Sequence, residues 1–124
     1  MKLAAARIFV DNLEQARVFY EGTLGLTVAA VGPQASFVVY DVQSCNLIVE
    51  QVASTAAPEE LALVGRFTGL SFRVADIAQR FRELTAQGVV FTGQPERQPW
   101  GGTLATLSDP AGNEVQLVEY PAAP

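Results

Sequence analysis

Apolar and polar residues alternate over positions 3–10, which predicts a β-strand. One side of this strand carries Ala6, Ile8 and Val10, and the other carries Ala5, Arg7 and Phe9. The apolar spacing then becomes helical. Asn12 is predicted to cap this helix, with Gln15 three residues on, and Gly25 ends it because glycine enters the left-handed conformation freely. The buried stripe of the helix consists of Leu13, Ala16, Tyr20 and Leu24.

Three short strands are predicted after this helix. Valine, isoleucine and aromatic residues are frequent at positions 27–31, 36–42 and 45–52. Residues 53–66 break the pattern with small side chains and a proline, so they are predicted to connect two halves. This connector has room for one helical turn around Glu59–Val64. The first half therefore has the order strand, helix, strand, strand, strand.

The second half has the same order of elements. Its first strand places Leu70, Phe72 and Val74 on one side and Gly69, Ser71 and Arg73 on the other. Asp76 caps the next helix, which ends at Gly88 and buries Ile77, Phe81 and Leu84. Strands are predicted at 89–92, 103–108 and 114–120. A loop at 96–102 and a tight turn at 109–113 separate them, and the turn residues are typical of local turn chemistry.

These two halves are an internal repeat. Four matched pairs are each 64 positions apart: Val10 with Val74, Asn12 with Asp76, Leu13 with Ile77, and Gln15 with Gln79. Such a repeat predicts an α+β fold of two tandem βαβββ modules in one domain of residues 1–124. The modules are 3–52 and 67–120, with the connector 53–66 and a tail 121–124. We expect a curved mixed sheet around a cleft, with the helices on the outer face.

Composition excludes several function classes. The net charge of -5 and the scattered basic residues argue against a nucleic-acid partner. No apolar stretch is long enough to span a bilayer, and Arg7 and Asp11 interrupt the N-terminal apolar run too early for a signal peptide. Cys45 is the only cysteine, which fits a reducing cytoplasm, where we place the protein. With no histidine in the chain, Cys45 cannot form a Cys–His nucleophile pair.

Four sequence phrases, in this order along the chain, show a resemblance to a known family over residues 3–120. They are VDNLEQARVFYEGTLGL, FRVADI, PWGG and SDPAGNEVQLVE. Together they resemble the vicinal oxygen chelate superfamily, which includes glyoxalase I, extradiol dioxygenases and bleomycin-resistance proteins. The resemblance implies a paired βαβββ fold, commonly dimeric, with a cleft. In the metal enzymes of that family, a divalent ion in the cleft takes four ligands, typically His and Glu, from the first and last strands of each half.

At the ligand positions that the resemblance implies, this chain does not have typical metal-binding side chains. Ala5 and Gly69 occupy the two histidine positions, and Gln116 occupies the acidic position of the last strand. The remaining position is Ile48 as first choice and Glu50 as second. An amide oxygen is a poor ligand for a transition metal. We therefore expect no metal and no cofactor, which puts glyoxalase or dioxygenase activity in doubt.

Other side chains are predicted to line the cleft. These are Arg7, Phe9, Glu50, Ser71, Arg73, Gln116, Val118 and Tyr120. Either Phe37 or Tyr40 also points in, and the strand phase does not decide between them. Trp100 either folds over the mouth or packs in its loop. Aromatic walls and two guanidinium groups predict an anionic or aromatic ligand. The alternative is that Arg7 or Arg73 pairs with Glu50 or Glu114 and fills the space.

Three functions compete. The first is a homodimer that binds a small organic molecule without a metal, in the manner of antibiotic-sequestering proteins of the bleomycin-resistance type. The second is a metal-dependent lyase or dioxygenase with a divergent site, in which Glu50 is a weak catalytic candidate and Gln116 or a partner chain helps to recruit the metal. The third is a non-catalytic dimer whose cleft is filled by its own side chains. Fold alone cannot choose among these functions.

Overall fold

Two mixed β-sheets, one in each half of the chain, form the framework of the computed structural model, which describes residues 1–123. The sheets have four and five strands, and the three α-helices within this range are short. The α+β class and the repeated order of elements are therefore as the sequence predicted. Of the predicted tail, residues 121–123 have no regular structure and Pro124 lies outside the described residues.

The first sheet has the strand order β1-β4-β3-β2, in which β1 runs parallel to β4 and the other pairs are antiparallel. A helix, α1, follows β1 and continues directly into a π-helical segment, and the short helix α2 lies after β4. The bounds are β1 Ala5–Val10, α1 Leu13–Arg17, the π-helical segment Val18–Thr23, β2 Thr27–Val31, β3 Phe37–Asp41, β4 Asn46–Gln51 and α2 Pro58–Leu61.

The second sheet repeats this arrangement with the order β5-β9-β8-β6 and one addition. Its parallel pair is β5 with β9, and the extra strand β7 pairs with β8. The bounds are β5 Phe67–Arg73, α3 Ile77–Ala86, β6 Val90–Phe91, β7 Glu96–Arg97, β8 Thr103–Ser108 and β9 Glu114–Glu119. The expected loop at 96–102 is thus wrong in its first two residues, because their backbone pairs with Thr103 and Leu104.

The chain divides into two compact units, each built around its own sheet. Unit 1 comprises Met1–Arg66 together with Pro110–Asn113, and unit 2 comprises Phe67–Asp109 together with Glu114–Pro124. The predicted connector therefore groups with the first sheet. Each unit buries side chains from one face of its sheet and from the apolar stripe of its helix, although Leu24 and Phe81, predicted for these stripes, are only half-buried. The unit 1 core consists of Ile8, Val10, Leu13, Ala16, Phe19, Tyr20, Val38, Tyr40, Leu47 and Val49, and the unit 2 core includes Ile77, Leu84, Ala105, Leu107, Val115 and Leu117.

The starts of α1 and α3 are built in the same way. The side chains of Asn12 and Asp76 each accept a 3.0 Å hydrogen bond from the backbone N–H three residues on, as predicted. A second bond, which the sequence pattern did not suggest, ties each helix to the last strand of its sheet. The Leu13 N–H donates to Gln51 Oε1 at 2.8 Å, and the Ile77 N–H donates to Glu119 Oε1 at 3.0 Å.

The two helices differ after their first turns. An uninterrupted helix was expected up to Gly25, but the α-helix gives way to a π-helix at Val18. A π-helix has wider turns than an α-helix, and here two consecutive aromatic side chains, Phe19 and Tyr20, are both buried. Their rings contact each other edge to face, with centroids 5.0 Å apart. Gly25 follows with φ of +75°, as expected for the end of the helix.

Asn113 corrects the expectation that residues 109–113 are held by local turn chemistry. Its side chain is buried and bonds to backbone groups far away in the sequence. The Oδ1 atom accepts from the N–H groups of Gly65 and Arg66 at 2.9 and 3.2 Å, and Nδ2 donates to the carbonyl of Phe9 at 2.7 Å. All four residues belong to unit 1. The asparagine thus fastens the end of the connector to β1.

Candidate functional site

The unit 1 sheet has one face covered by its helical segment and one face left open. Leu47 and Val49 of β4 point to the covered face and are buried, so the alternate positions Ile48 and Glu50 both lie on the opposite face. We call this second surface the open face of unit 1. It carries the predicted residues Arg7, Phe9, Phe37 and Glu50, together with Val39 and Ile48.

Glu50 lies on β4, the middle one of three neighbouring strands on this face. It pairs with Phe9 on β1 and with Phe37 on β3, so an aromatic residue occupies the position on either side of it. The Glu50 carboxylate lies 3.8 Å from the guanidinium of Arg7. This ion pair is one of those predicted by the alternative hypothesis, in which the side chains of the protein itself fill the cleft. Because both side chains are partly exposed, the pair contributes little to stability.

Tyr40, which was predicted as the alternative to Phe37, lies on the covered face. Its prediction as a site residue is therefore wrong. It is fully buried beside Tyr20, with ring centroids 6.2 Å apart. Its hydroxyl donates a 2.8 Å hydrogen bond to Oε2 of Glu21 in the π-helical segment. Alternation along β3 places Val38 and Tyr40 together on one side, which leaves Phe37 on the open face.

The Glu21 carboxylate accepts three hydrogen bonds from two side chains on the covered side of unit 1. Arg17 donates from Nε at 2.6 Å and from Nη2 at 3.2 Å, and Tyr40 donates to the same carboxylate. The bond from Arg17 is the main reason that the pKa of Glu21 is lowered, and it outweighs partial burial, which acts in the opposite direction. Burial, aided by the bond to Glu21, raises the pKa of Tyr40 far above its ordinary value. These groups are structural and lie away from the open face.

The unit 2 sheet also has an open face, opposite the face that α3 covers. A row of neutral polar side chains crosses it, because Ser71 on β5 and Thr106 on β8 both pair with Gln116 on β9. The Gln116 amide donates to Thr106 Oγ1 at 3.1 Å, and its Oε1 lies 3.5 Å from the Ser71 hydroxyl. Val118, also predicted for the site, lies on this face but is buried. Gln116 is therefore engaged with neighbouring strands.

Aromatic and basic side chains gather at one end of this open face of unit 2. The guanidinium carbon of Arg73 lies 4.7 Å from the ring centroid of Tyr120, which is cation–π geometry. The Tyr120 ring in turn lies 6.0 Å from that of Trp100. Trp100 and Tyr120 remain 51 % and 50 % exposed. We call Arg73, Trp100 and Tyr120 the aromatic cluster.

Comparison with known families supplies the decisive observation. Residues 2–117 match the model of the Glyoxalase/Bleomycin resistance protein/Dioxygenase superfamily. The chain belongs to this superfamily. Both the resemblance carried by the four sequence phrases and the fold class that it implied are thereby confirmed.

Two solved structures align over nearly the whole chain, and a bleomycin resistance protein aligns over a shorter part of it. A superfamily member from Sphaerobacter thermophilus is 30 % identical, with a TM-score of 0.78 and coverage of 97 % of this chain and 98 % of that one. TnmS3, an antibiotic binding protein from Streptomyces sp., is 26 % identical, with a TM-score of 0.76 and coverage of 98 % and 97 %. A bleomycin resistance protein from Klebsiella pneumoniae is 35 % identical over 54 residues, which is 38 % of this chain and 43 % of that protein.

The strand registers show which residues of the two units are equivalent at the positions where the family resemblance implies metal ligands. Arg7 pairs with Ile48 on β4, and Ser71, which is 64 positions after Arg7, pairs with Gln116 on β9. Ile48 is therefore the register equivalent of Gln116, while Glu50 is the equivalent of Val118. This register favours the first choice made from the sequence.

The residues at these positions do not fit a metal ion. Ala5, Ile48 and Gly69 offer no ligand atom from their side chains, and the Gln116 amide is already bonded to Thr106. Across residues 1–123, no three His, Cys, Asp or Glu side chains lie close enough together to hold a metal ion.

In the same part of the chain, no helix is long and apolar enough to cross a membrane. Cys45 is half-buried and has a free thiol.

Gly69 departs further from the expected geometry, because β5 is irregular there. Four residue steps on β5, from Phe67 to Ser71, lie opposite only two steps on β9, from Glu114 to Gln116. Gly69 falls within this bulge and has φ of +73°. Its counterpart Ala5 lies in a regular strand and pairs with Asn46. An isolated glycine within a strand is the sequence signal of such a bulge, but a regular strand was predicted here.

Two further residues belong to the open face of unit 2 and were missed from the sequence. Thr106 completes the polar row through its bond to Gln116. Gly102 supports Trp100, because a Cβ atom at this position would overlap the indole ring. Residues two apart in a strand lie on the same face, so alternation along β8 could have placed Thr106 on one face with Leu104 and Ser108. Nothing in the sequence marked Gly102 as a support for the tryptophan.

Proposed function

We propose that this protein binds a small organic molecule on an open sheet face, without a bound metal ion and without transforming the molecule. The observation that carries the proposal is the set of side chains on the open faces, where weak metal ligands are combined with aromatic and basic groups. Of the four positions at which the family resemblance implies metal ligands, Ala5, Ile48 and Gly69 have no ligand atom in their side chains, and the Gln116 amide is a poor ligand that is bonded to Thr106. The same faces present aromatic and guanidinium groups. Aromatic surface with a few polar groups suits a ligand site better than a metal-activated reaction.

The relatives support a ligand of the antibiotic type. TnmS3 is described as an antibiotic binding protein, and it matches this chain over nearly its full length. The bleomycin resistance protein matches over a shorter stretch at higher identity. We infer that sequestration of a planar or anionic antibiotic-like molecule is the best-supported function, and that the protein acts as a homodimer.

The residues of the open faces suit binding better than acid–base catalysis. The chain has no histidine, so the side chain that most often serves as a general base near neutral pH is absent. Glu50, the remaining carboxylate of interest, is paired with Arg7 at 3.8 Å. Arg73, Trp100 and Tyr120 can bind a ligand through charge and stacking, and the polar row around Gln116 can supply hydrogen bonds.

Equilibrium dialysis tests the proposal. Protein purified in the presence of EDTA is dialysed against a panel of planar, anionic and neutral aromatic molecules that includes bleomycin, with EDTA in both chambers. We expect saturable binding of at least one molecule with a stoichiometry near one per chain. Failure of every molecule to bind would count against the proposal and would favour a dimer with filled open faces.

Metal analysis separates binding from the enzymatic alternative. Protein purified without chelators is analysed for nickel, zinc, manganese and iron. We expect far less than one metal ion per chain. A stoichiometric amount of any of these metals, together with loss of ligand binding on chelation, would instead support a metal-dependent lyase or dioxygenase with a divergent site.

A further inference from the structure

Arg73 combines a free charge with an aromatic neighbour. The ion pairs within residues 1–123 involve Arg7, Arg17 and Arg80, and the other arginines, Arg73 among them, have no carboxylate within 4.0 Å. Within the same residues, Arg73 is the arginine that lies over an aromatic ring, that of Tyr120. Its side chain is exposed on the open face of unit 2, where a ligand can reach it.

Stacking on Tyr120 orders the guanidinium while leaving its donors available. A guanidinium is planar, so an aromatic ring can cover one flat side without using the N–H groups at the edge. With the group held 4.7 Å from the ring centroid, less side-chain entropy is lost when a ligand binds to those N–H groups. Edge-on N–H pairs match the geometry of a carboxylate and can bond to it in bidentate fashion.

Trp100 provides a flat apolar surface in the same cluster. Its ring lies directly over Gly102, where a Cβ atom would overlap it, and the Tyr120 ring is 6.0 Å away. Despite this support, about half of the indole remains exposed. A large aromatic side chain that is both fixed and exposed can stack on the ring of a ligand. Trp100 is also the only tryptophan in the chain, so its fluorescence reports on this cluster alone.

We propose that Arg73 is the anion-recognising residue of the aromatic cluster, and that the ligand is a planar aromatic molecule bearing a carboxylate. This inference rests on the proposed function and narrows its ligand class. The carboxylate binds the free edge of the Arg73 guanidinium, and the aromatic ring stacks on Trp100. Arg7, on the open face of unit 1, is less suited to this task because Glu50 already offsets its charge.

A matched pair of probes tests the inference by isothermal titration calorimetry. The probes are 2-naphthoate and 2-naphthamide, which share one ring system and differ in charge. We expect wild-type protein to bind the carboxylate about tenfold more tightly than the amide, which is the size of one good charge-assisted hydrogen-bonded contact. Arg73→Gln should abolish this preference while the amide binds as before. Quenching of Trp100 fluorescence by both probes should locate them at the cluster.

Arg82→Gln is the control, because it removes the same charge from unit 2 at an exposed position on α3. It should keep the tenfold preference. Equal affinity for the two probes in the wild type, or equal loss of preference in both variants, would overturn the role of Arg73 and leave the proposed function intact. If neither probe binds, the aromatic-carboxylate class is wrong, while the proposed function is decided separately by the dialysis panel.

Discussion

The absence of a side chain at Gly102 sets the position of the only tryptophan. We predict that Gly102→Ala displaces the indole of Trp100, because the added methyl group would occupy the space of the ring and would also lie 3.0 Å from the Glu119 carbonyl. The fluorescence emission maximum should shift to longer wavelength as the indole gains exposure. Gly93→Ala is the control, since a Cβ at that position meets nothing within 4 Å. An unchanged spectrum in Gly102→Ala would contradict this account of Trp100.

The Tyr40 hydroxyl should stabilise unit 1 in a pH-dependent way. We predict that Tyr40→Phe lowers the free energy of unfolding by about 1–2 kcal/mol at pH 7, because Glu21 loses one of its charge-assisted bonds. Urea unfolding measures the change. Tyr120→Phe is the control, because that ring is half-exposed, and its effect should be within about 0.5 kcal/mol.

The direction of the pH dependence follows from the two pKa shifts. The lowered pKa of Glu21 means that its contribution is present above the ordinary carboxyl range and is lost as the pH falls through the folded value. The raised pKa of Tyr40 means that the neutral hydroxyl contributes below the ordinary tyrosine range and that this contribution is lost as the pH rises through the folded value. The difference between wild type and Tyr40→Phe should therefore be largest near neutral pH and shrink on both sides. A difference independent of pH would be evidence against this network.

The choice between Phe37 and Tyr40 shows why single side chains are hard to place from sequence. All four residues from Phe37 to Tyr40 are apolar or aromatic, so the pattern on β3 has no polar positions that mark the exposed side. The covered face is fixed by pairing of Val38 and Tyr40 with Val49 and Leu47 on β4. The partner of Tyr40, Glu21, is 19 positions away and lies on another element.

At the level of elements, the helix caps and most strands could be predicted because their causes are local. Asn12 and Asp76 accept bonds from residues three positions on, and β2 and β8 have the bounds that the sequence predicted. Features held by distant contacts were missed. The bonds of Gln51 and Glu119 to the helix starts join residues about 40 positions apart, and no local pattern encodes them.

Asn113 is the most consequential of these distant contacts. We predict that Asn113→Ala lowers the free energy of unfolding by about 2–4 kcal/mol, because three backbone groups lose a buried partner. The side chain is only 1 % exposed, so water cannot readily replace it. Urea denaturation measures the loss. Asn46→Ala, at an exposed position of β4, should cost no more than about 0.5 kcal/mol, and a similar cost for both variants would refute this assignment.

At the level of the whole molecule, the repeat predicted the α+β class and the family. The four phrases depend on caps, glycines and apolar spacing that recur in both halves. The site was less predictable. The register equivalence of Ile48 and Gln116 emerges only once both parallel strand pairs are known. Likewise, the grouping of Pro110–Asn113 with unit 1 depends on contacts between residues far apart in sequence.

The two positions at which the family resemblance implies histidine differ in their backbone. Ala5 lies in a regular, exposed stretch of β1, so a larger side chain would meet no backbone restriction there. Gly69 lies in the bulge of β5 with φ of +73°, a conformation that side-chain-bearing residues adopt only at a cost. In unit 1 the departure is thus one of side chain alone, whereas in unit 2 the backbone has also changed.

This asymmetry predicts unequal costs for restoring histidine. Ala5→His should change the free energy of unfolding by no more than about 0.5 kcal/mol, as for other exposed positions. Gly69→His should lower it by about 1–2 kcal/mol, the cost of a left-handed residue with a side chain. Urea unfolding of the two variants, with Gly69→Ala alongside, separates backbone strain from the bulk of the imidazole. Equal, small effects at both positions would mean that β5 readily becomes regular, and that the departure at Gly69, like that at Ala5, is one of side chain alone.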